Sequence, residues 1–371
     1  MQPILTVIGT RPEAIKMLPV VRALRARGLP LVVLTTGQHR SMLDQVFAAF
    51  GEAPDRDLAL MVPGQTLTDI TGRVLAAMAG IYAEYAPGLV LVHGDTTTAM
   101  AAATAAFYAR IPIGHVEAGL RSHDLDRPFP EEFNRISIDA VADLLFAPTE
   151  GAAQNLRRES LRSRPVFVTG NTGIDALLHV AERLTGDELL PLGLPLNGSK
   201  ALVLVTGHRR ESFGDGFSRM CDGLARIAER GDVEIVYPVH LNPQVQQPVR
   251  QRLGSLGNVH LIEPVDYVTM VALMRKARFI LTDSGGIQEE APALGRPVLV
   301  MRDVTERPEA IATGVASLVG TDPERIAGEA ARLLDDQSYY ASRARAVFPF
   351  GDGTAAQRIG QAVADFLEDR T

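Results

Sequence analysis

Apolar residues recur along this chain in short β-branched runs, and segments with helical periodicity separate them. Six runs predict strands before residue 170 and six more predict strands after residue 200. Strands that are apolar almost throughout indicate parallel sheets covered by helices on both faces. The predicted strands are 4–8, 31–35, 89–93, 111–116, 144–147 and 165–168, and then 201–205, 233–239, 258–262, 278–282, 297–300 and 316–319. The simplest architecture is α/β, with two Rossmann-like doubly wound domains of similar size.

Turn-forming residues between positions 168 and 200 predict the boundary between these domains. A turn cluster occupies residues 169–173, and a stretch rich in Pro and Gly follows at 190–195. Open parallel sheets bind ligands beyond the carboxyl ends of their strands. Two such domains that face each other would therefore place a ligand in a central cleft.

We predict an N-terminal Rossmann-like domain over residues 1–170 and a C-terminal Rossmann-like domain over residues 171–353. The helical pattern near the end of the chain, residues 354–371, is expected to complete the first domain. No repeat with a period of 20 to 50 residues interrupts this organisation, which excludes a solenoid.

Composition excludes several classes of protein. The formal net charge of −7 opposes binding to nucleic acid or to an anionic membrane surface. The single cysteine, Cys221, allows neither an internal disulfide nor a cysteine-based zinc site, and the eight histidines show no metal-binding spacing. No secretory signal pattern and no apolar stretch of membrane-spanning length occur. We therefore expect a cytoplasmic enzyme without a metal.

The segment from Asp283 to Glu290 predicts a phosphate site, because Ser284, Gly285 and Gly286 follow an apolar strand and open a helix. Glycines let the backbone approach a ligand, and the free N–H groups of a helix N-terminus attract an anion. Glu290, or its neighbour Glu289, can in addition accept hydrogen bonds from ribose hydroxyls. This indicates a nucleotide. The alternative is an ordinary strand-to-helix turn with a solvated acidic face.

A second basic segment, Gly9 to Lys16, follows the first strand. Arg11 at the mouth of the predicted helix and Lys16 one turn inside it suit a diphosphate. A helix start with surface Arg and Lys is the alternative. No Gly-x-Gly-x-x-Gly follows this strand, so NAD binding through that fingerprint is unsupported and no cofactor is expected.

Carboxylates follow the next strands of the first domain. Asp95 comes after the third strand and Glu117 after the fourth, so both are expected at one rim of the sheet. Asp95 has an alternative as an N-cap of the helix through Ala99. Glu117 has no obvious capping duty. A third carboxylate, Glu131, lies on a proline-rich loop at a helix N-terminus. The alternative to a functional role is that Glu131 only interacts favourably with the helix dipole.

The second domain opens with a strand followed by His208, Arg209 and Arg210 in a turn flanked by glycines. This offers a group that titrates near neutral pH and cationic arms for a diphosphate. Arg307 follows another predicted strand end and can complete this anion site. A solvated basic turn is the alternative.

Taken together, these motifs resemble the bacterial non-hydrolysing UDP-N-acetylglucosamine 2-epimerases, from the first strand to the C-terminal helix. The motifs that carry the resemblance are Gly9–Lys16, Val92–Asp95, His115–Arg121, Pro130–Glu132, Gly207–Glu211, Tyr237–His240 and Asp283–Glu290. The resemblance implies a GT-B type pair of domains, a homodimer and interconversion of UDP-N-acetylglucosamine and UDP-N-acetylmannosamine for surface polysaccharides. UDP would leave across C1 and C2 to give a 2-acetamidoglucal, and re-addition would follow.

The resemblance also implies roles for individual residues. UDP would be held by the second domain together with a residue of the first, and the reaction centre would be lined by carboxylates and cations. The implied UDP-binding residues are Arg11, Arg209, Ser284, Gly285, Gly286, Glu290 and Arg307, and the implied reaction-centre residues are Lys16, Asp95, Glu117, Glu131 and His208. Which carboxylate removes the C2 proton and which returns it stays open.

Members of the family can be activated by a second UDP-N-acetylglucosamine, and Gln38, His39 and His240 match that site. Gly64 stands where some relatives place an Arg, so activation stays open. Three other functions compete with epimerisation. They are a hydrolysing epimerase that releases N-acetylmannosamine and UDP, a GT-B glycosyltransferase, and a non-catalytic sensor of a sugar nucleotide.

Overall fold

The chain divides into two compact units in the computed structural model. The first unit comprises Met1–Leu178 and Phe350–Thr371, and the second comprises His179–Pro349. The C-terminal residues therefore belong to the first unit. The structure describes residues 2–37, 40–62, 64–159, 164–194, 196, 198–209 and 213–370.

The first unit is built on a sheet in which the described residues form seven parallel strands. Their order across the sheet is β3-β2-β1-β4-β5-β6-β7. The strands are β1 (Ile4–Ile8), β2 (Leu31–Thr35), β3 (Arg56–Asp57), β4 (Leu89–His93), β5 (Ile113–Val116), β6 (Leu144–Ala147) and β7 (Val166–Val168). The two-residue edge strand β3 was not predicted, because a pair of charged residues carries no apolar pattern.

Helices of the first unit cover the sheet and bury its apolar side chains. Their starts follow capping rules: Thr10 caps α1 and forms a capping box with Glu13, and Thr66 does the same for α3 with Asp69. The helices are α1 (Arg11–Ala26), α2 (Arg40–Ala49), α3 (Leu67–Tyr85), α4 (Thr97–Tyr108), α5 (Glu131–Val141), α6 (Glu150–Glu159), α7 (Thr172–Ala181) and, at the end of the chain, α15 (Ala355–Glu368).

The second unit repeats the same plan. Its described residues form six parallel strands in the order β10-β9-β8-β11-β12-β13. The strands are β8 (Ala201–Thr206), β9 (Val233–Pro238), β10 (Val259–Ile262), β11 (Phe279–Thr282), β12 (Val298–Val300) and β13 (Ala316–Leu318). The helices are α8 (Asp215–Ala228), α9 (Pro243–Leu253), α10 (Tyr267–Lys276), α11 (Gly285–Ala293), α12 (Pro308–Ala312), α13 (Pro323–Asp335) and α14 (Gln337–Arg343), and a 3₁₀ turn spans Leu190–Leu192. All twelve predicted strands are present.

The first unit ends inside α7 rather than near Gly170. Asp175 on α7 accepts hydrogen bonds from the backbone N–H groups of Ala355 (3.3 Å) and Ala356 (2.8 Å) at the start of α15. Arg358 on α15 donates to the carbonyl of Thr169 at 2.8 Å. These contacts bind the start of α7 and the whole of α15 to the same unit.

Each sheet reverses its strand order once, and this reversal positions the candidate site. The first reversal separates β1 from β4, and the second separates β8 from β11. Loops leave such a pair of strands toward opposite faces, which opens a crevice at their carboxyl ends. Within the described part of the chain, no helix has the length and hydrophobicity required for a membrane span.

Candidate active site

The loops after β1 and β4 are joined by a buried carboxylate in the first unit. Glu13 accepts hydrogen bonds from the backbone N–H groups of Gly9 (3.1 Å) and Thr10 (2.6 Å), and Thr96 donates to its other oxygen at 2.9 Å. Burial raises the pKa of Glu13, and this outweighs the opposite effect of these hydrogen bonds, which lower it. A Cβ on Gly9 would lie only 2.8 Å from Cβ of Thr98. The two loops are therefore packed too tightly for a side chain at residue 9.

Glu117 lies at the carboxyl end of β5 with both oxygens engaged. One oxygen pairs with Nζ of Lys16, and the other lies 3.1 Å from Nε2 of His93. Burial raises the pKa of Glu117, but the charges of Lys16 and His93 outweigh burial and hold it well below its usual range. Its φ of 68° is in the left-handed region, which non-glycine residues occupy rarely and which costs energy. The surrounding contacts thus fix an ionised carboxylate in a strained backbone position.

Asp95 is positioned by α5 and does not cap α4. The N-cap of α4 is Thr96, whose hydroxyl accepts a hydrogen bond from the N–H of Ala99 at 3.0 Å, so the capping alternative for Asp95 is wrong. Arg135 pairs with Oδ2 of Asp95 at 2.5 Å, and Asn134 donates to its carbonyl at 2.9 Å. The Asp95 side chain keeps about a third of its surface exposed, at 32%. It is therefore oriented and still accessible to a ligand.

The two glutamates at the start of α5 have different environments. Glu132 is fully buried and accepts hydrogen bonds from the backbone N–H groups of Ser122 and His123, both at 3.0 Å. Glu131 is the first residue of the helix and is only partly buried. Both lie in the first turn, where the helix dipole favours them. Glu132 therefore anchors the preceding loop, while Glu131 remains accessible.

A buried ionic network lies beneath these carboxylates. The ring of His115 is completely buried, with Nδ1 2.6 Å from Oδ1 of Asp139 and Nε2 2.8 Å from the carbonyl of Gly94. Asp139 also pairs with Arg121 at 2.7 Å and accepts from the N–H of Gly119 at 3.2 Å. Through these bonds α5 holds the loops that carry Asp95 and Glu117.

Sequence reasoning missed most members of this network. In the sequence His115 and Arg121 stand out only as parts of a motif, and Asp139 lies within α5 with no local pattern that marks it. His93, beside Glu117, was likewise named only as a motif residue. A polar residue on a buried helix face would have been the available signal, because buried carboxylates require partners.

The structure describes Arg11 and one of the three expected activator residues, His240. Arg11 is the first residue of α1, directly after the Thr10 cap. Gln38 and His39 lie outside the described residues. His240 follows β9 in the second unit, and its ring stacks on His208, with centroids 5.6 Å apart.

In the second unit a single buried aspartate joins the loops after β8 and β11. Asp283 is fully buried, and its Oδ2 accepts hydrogen bonds from the backbone N–H groups of His208 and Arg209, both at 2.8 Å. The hydroxyls of Thr206 and Thr282 share a hydrogen bond of 2.6 Å just before these loops. His208 and Arg209 are thus held at the carboxyl end of β11, and Arg210 lies outside the described residues.

The predicted phosphate site begins α11, as the sequence indicated. Ser284 is the N-cap but uses no side-chain oxygen for capping, and Gly285 and Gly286 form the first turn. A Cβ on Gly285 would lie 3.5 Å from Nη2 of Arg209 and 3.6 Å from Nη2 of Arg307. The structure therefore brings two guanidinium groups to one helix N-terminus, an arrangement suited to an anion.

The paired acids of α11 also differ. Glu289 is buried and accepts a hydrogen bond from Nε of Arg307. Glu290 is half-buried, and the hydroxyl of Tyr267 donates to it at 3.4 Å. Glu289 thus orients Arg307, and Glu290 is the more accessible of the two carboxylates.

His208 stands beside this anion site with a lowered pKa. Burial lowers the pKa first, the charge of Asp283 raises it, and the charges of His240 and Arg209 lower it further. The net effect favours the neutral imidazole near neutral pH.

Comparison with known proteins assigns the family. A family model described as UDP-N-acetylglucosamine 2-epimerase matches residues 22–364. A Salmonella typhimurium protein named UDP-N-acetylglucosamine 2-epimerase is 54% identical over 370 residues, which cover 98% of each chain. The chain belongs to the UDP-N-acetylglucosamine 2-epimerase family.

Solved structures of family members have the same fold. The Neisseria meningitidis UDP-GlcNAc 2-epimerase bound to UDP-GlcNAc is 44% identical, covers 98% of this chain and 100% of its own, and superposes with a TM-score of 0.90. The Staphylococcus aureus MnaA complex with UDP is 42% identical, covers 99% and 97%, and has a TM-score of 0.88. These similarities confirm the predicted family, its isomerase class and the fold of two doubly wound α/β domains of the GT-B type.

Proposed function

We propose that this chain interconverts UDP-N-acetylglucosamine and UDP-N-acetylmannosamine by inverting C2 of the sugar. The family supports this activity, and the Neisseria relative is a UDP-GlcNAc 2-epimerase bound to UDP-GlcNAc. The observation that carries the proposal is the group of carboxylates at one edge of the first sheet. Asp95 and Glu117 follow the adjacent strands β4 and β5, and Glu131 begins the helix that orients Asp95 through Arg135.

Elimination of UDP explains why three carboxylates are used. C2 of the sugar is not next to a carbonyl, so direct removal of its proton is very costly. A base instead takes the C2 proton while the C1–O bond breaks, and the electron pair of that bond leaves with UDP to give the 2-acetamidoglucal. Return of a proton to the other face of C2, with re-addition of UDP at C1, gives the epimer.

Among the carboxylates, we assign the proton transfers to Asp95 and Glu131. Both oxygens of Glu117 are engaged by Lys16 and His93, whereas Asp95 keeps about a third of its side-chain surface exposed and Glu131 is only partly buried. Glu117 is better suited to stabilise the positive charge that develops at C1 as UDP leaves. Which of Asp95 and Glu131 removes the proton depends on the direction of the reaction.

We assign UDP binding to residues of the second unit together with Arg11 and Lys16 of the first. The support is the N-terminus of α11 with two arginines beside its first glycine, and the accessible Glu290 suits the ribose hydroxyls. We propose that His208, beside this anion site, donates a hydrogen bond to the departing diphosphate. The proposed UDP-binding residues are Arg11, Lys16, His208, Arg209, Ser284, Gly285, Gly286, Glu290 and Arg307.

One experiment tests the reaction itself. The protein is incubated with UDP-N-acetylglucosamine in deuterated water, and C2 is followed by NMR. Deuterium at C2 in intact UDP-N-acetylmannosamine supports the proposal. Accumulation of free N-acetylmannosamine and UDP would instead establish a hydrolysing epimerase. Absence of exchange would refute epimerisation and leave a glycosyltransferase or a sensor.

We further propose that the enzyme is a cytoplasmic homodimer that supplies UDP-N-acetylmannosamine for surface polysaccharides. We propose that the N-terminal domain, completed by the C-terminal helix, carries out the proton chemistry. The C-terminal domain binds UDP. Light scattering at several protein concentrations tests the dimer. A mass equal to one chain at all concentrations would contradict it.

A further inference from the structure

A cavity lies in the second unit, at the edge of the sheet opposite to Ser284. Its volume is about 450 Å³, and it is formed at the amino ends of four adjacent strands, β9, β8, β11 and β12. All strands of this sheet run parallel, so their amino ends share one edge and the proposed UDP site lies at the other. The side chains that matter are Lys200, Glu234, Lys276, Arg278, Arg296 and Tyr340.

The charges around this cavity do not balance. Four cationic side chains line it with one carboxylate, Glu234. Glu234 is already used, because it pairs with Lys200 at 2.8 Å and lies 2.6 Å from Nε2 of His260. Lys276, Arg278 and Arg296 make no ion pair with a carboxylate among the described residues. In a chain of net charge −7, three neighbouring cations without a counterion indicate an anion site.

Arg278 is held in place by its surroundings, and Arg296 has a buried group without a partner. The guanidinium of Arg278 lies 3.9 Å from the centre of the Tyr340 ring, and its Nε donates to the carbonyl of Leu333 at 3.2 Å. Nε of Arg296 is buried and has no hydrogen-bond partner among the described residues. A buried N–H group without a partner is costly and indicates a water molecule or an ion.

We propose that this cavity binds a small molecule that carries phosphate groups. Three cations call for more than one negative charge, and arginine forks match phosphate oxygens in geometry. The volume lies within the range of small-molecule sites, roughly 300–1,000 Å³. The guanidinium of Arg278 already covers this face of the Tyr340 ring, so a ligand cannot stack on it. The phosphate groups are therefore the part of the ligand that the cavity recognises. This inference does not depend on the proposed epimerase activity.

The test is a calorimetric titration with inorganic pyrophosphate in the presence of saturating UDP, which occupies the nucleotide site. We expect saturable binding to the unchanged protein and binding about tenfold weaker to the Arg296→Met variant, since one charge-assisted contact is lost. Arg226→Met is the matched control, because Arg226 is exposed and pairs with Glu324 away from the cavity. It should leave the affinity unchanged.

Two results would overturn the proposal: no saturable binding of pyrophosphate to the unchanged protein, or an equal loss of affinity in the Arg226→Met control. A thermal melt checks that Arg296→Met is folded. If it is not, Lys276→Met replaces it, because Lys276 is exposed at the end of α10 and its truncation leaves the core intact. Failure of Lys276→Met to weaken binding would then reject the site.

Discussion

The two units use one fold and build their polar sites in different ways. In the first unit, Asn134 and Arg135 of α5 hold Asp95. Lys16 and His93 hold Glu117, which has a left-handed backbone conformation. In the second unit, the ends of two loops are joined through Asp283, and the ligand groups are backbone N–H groups, glycines and arginines. The first site is thus fixed by internal ion pairs, whereas the second collects cations around a helix N-terminus.

This difference matches the two tasks that we propose. Proton transfer requires carboxylates at fixed distances from one carbon atom, and errors of about 1 Å are costly. A diphosphate requires positive charge and N–H groups, and it completes the site itself by neutralising them. Variants of the first site should therefore alter turnover or folding, and variants of the second should alter nucleotide affinity.

The largest effect is expected for Asp95→Asn. The amide cannot exchange a proton as the carboxylate does, so turnover should fall by about 10²–10⁴-fold. UDP affinity should be unchanged, because the proposed UDP contacts lie mainly in the second unit. Turnover is measured by NMR of the epimer mixture and UDP binding by calorimetry. Asp126→Asn, in the exposed loop before α5, is the matched control and should keep full activity.

Loss of UDP binding in Asp95→Asn would contradict this division between the units. It would assign Asp95 a structural role, through its pair with Arg135. Asp95→Glu then separates charge from position: it retains a carboxylate at a changed distance and should recover only part of the turnover.

The next effect concerns the buried network. Asp139→Ala removes the partner of His115 and one partner of Arg121, both buried, and should lower the free energy of unfolding by about 3–5 kcal/mol. Urea denaturation followed by circular dichroism measures this change. The control is Glu150→Ala, which breaks an exposed pair with Arg157 and should cost about 0–1 kcal/mol. Equal losses in the two variants would show that the network does not stabilise the first unit.

The contrast between the units also explains what the sequence could reveal. Strands and helices were predictable because buried parallel strands are apolar throughout and their helices are periodic. The phosphate site was predictable because its parts, Ser284 to Gly286, are consecutive in the chain. Arg307 could be added only because it also follows a strand.

Side chains that act over long separations could not be predicted in this way. Asp139 reaches His115 from 24 residues away, and Arg135 reaches Asp95 from 40 residues away. The division of labour between Glu131 and Glu132, or between Glu289 and Glu290, depends on which side of a helix each residue occupies. Tertiary packing sets that orientation. Two consecutive glutamates look the same in the sequence, so the sequence does not show which of them is buried.

A smaller effect is expected at the second site. Arg307→Met removes one of the two guanidinium groups beside Gly285, and the loss of a charge-assisted hydrogen bond costs about 1.5–3 kcal/mol. UDP should bind about ten- to a hundredfold more weakly, and calorimetry measures this change. Arg219→Met, at an exposed position whose side chain contacts Thr321, should bind UDP normally. A fall in turnover at saturating substrate, without a change in affinity, would instead place Arg307 in the reaction centre.

The smallest effect is a change in the pKa of His208 when one of the neighbouring charges is altered. Its pKa is lowered by burial and by His240 and Arg209, and raised by Asp283, so His240→Gln should raise the pKa of His208 and Asp283→Asn should lower it. Because the folded-state pKa lies below the ordinary 6.5, protonation favours unfolding, and His208 reduces stability as the pH falls below that value. NMR titration of the imidazole protons, assigned with His208→Gln, measures the midpoint. If neither variant moves the midpoint, the imidazole is independent of this cluster and the second site does not control its protonation.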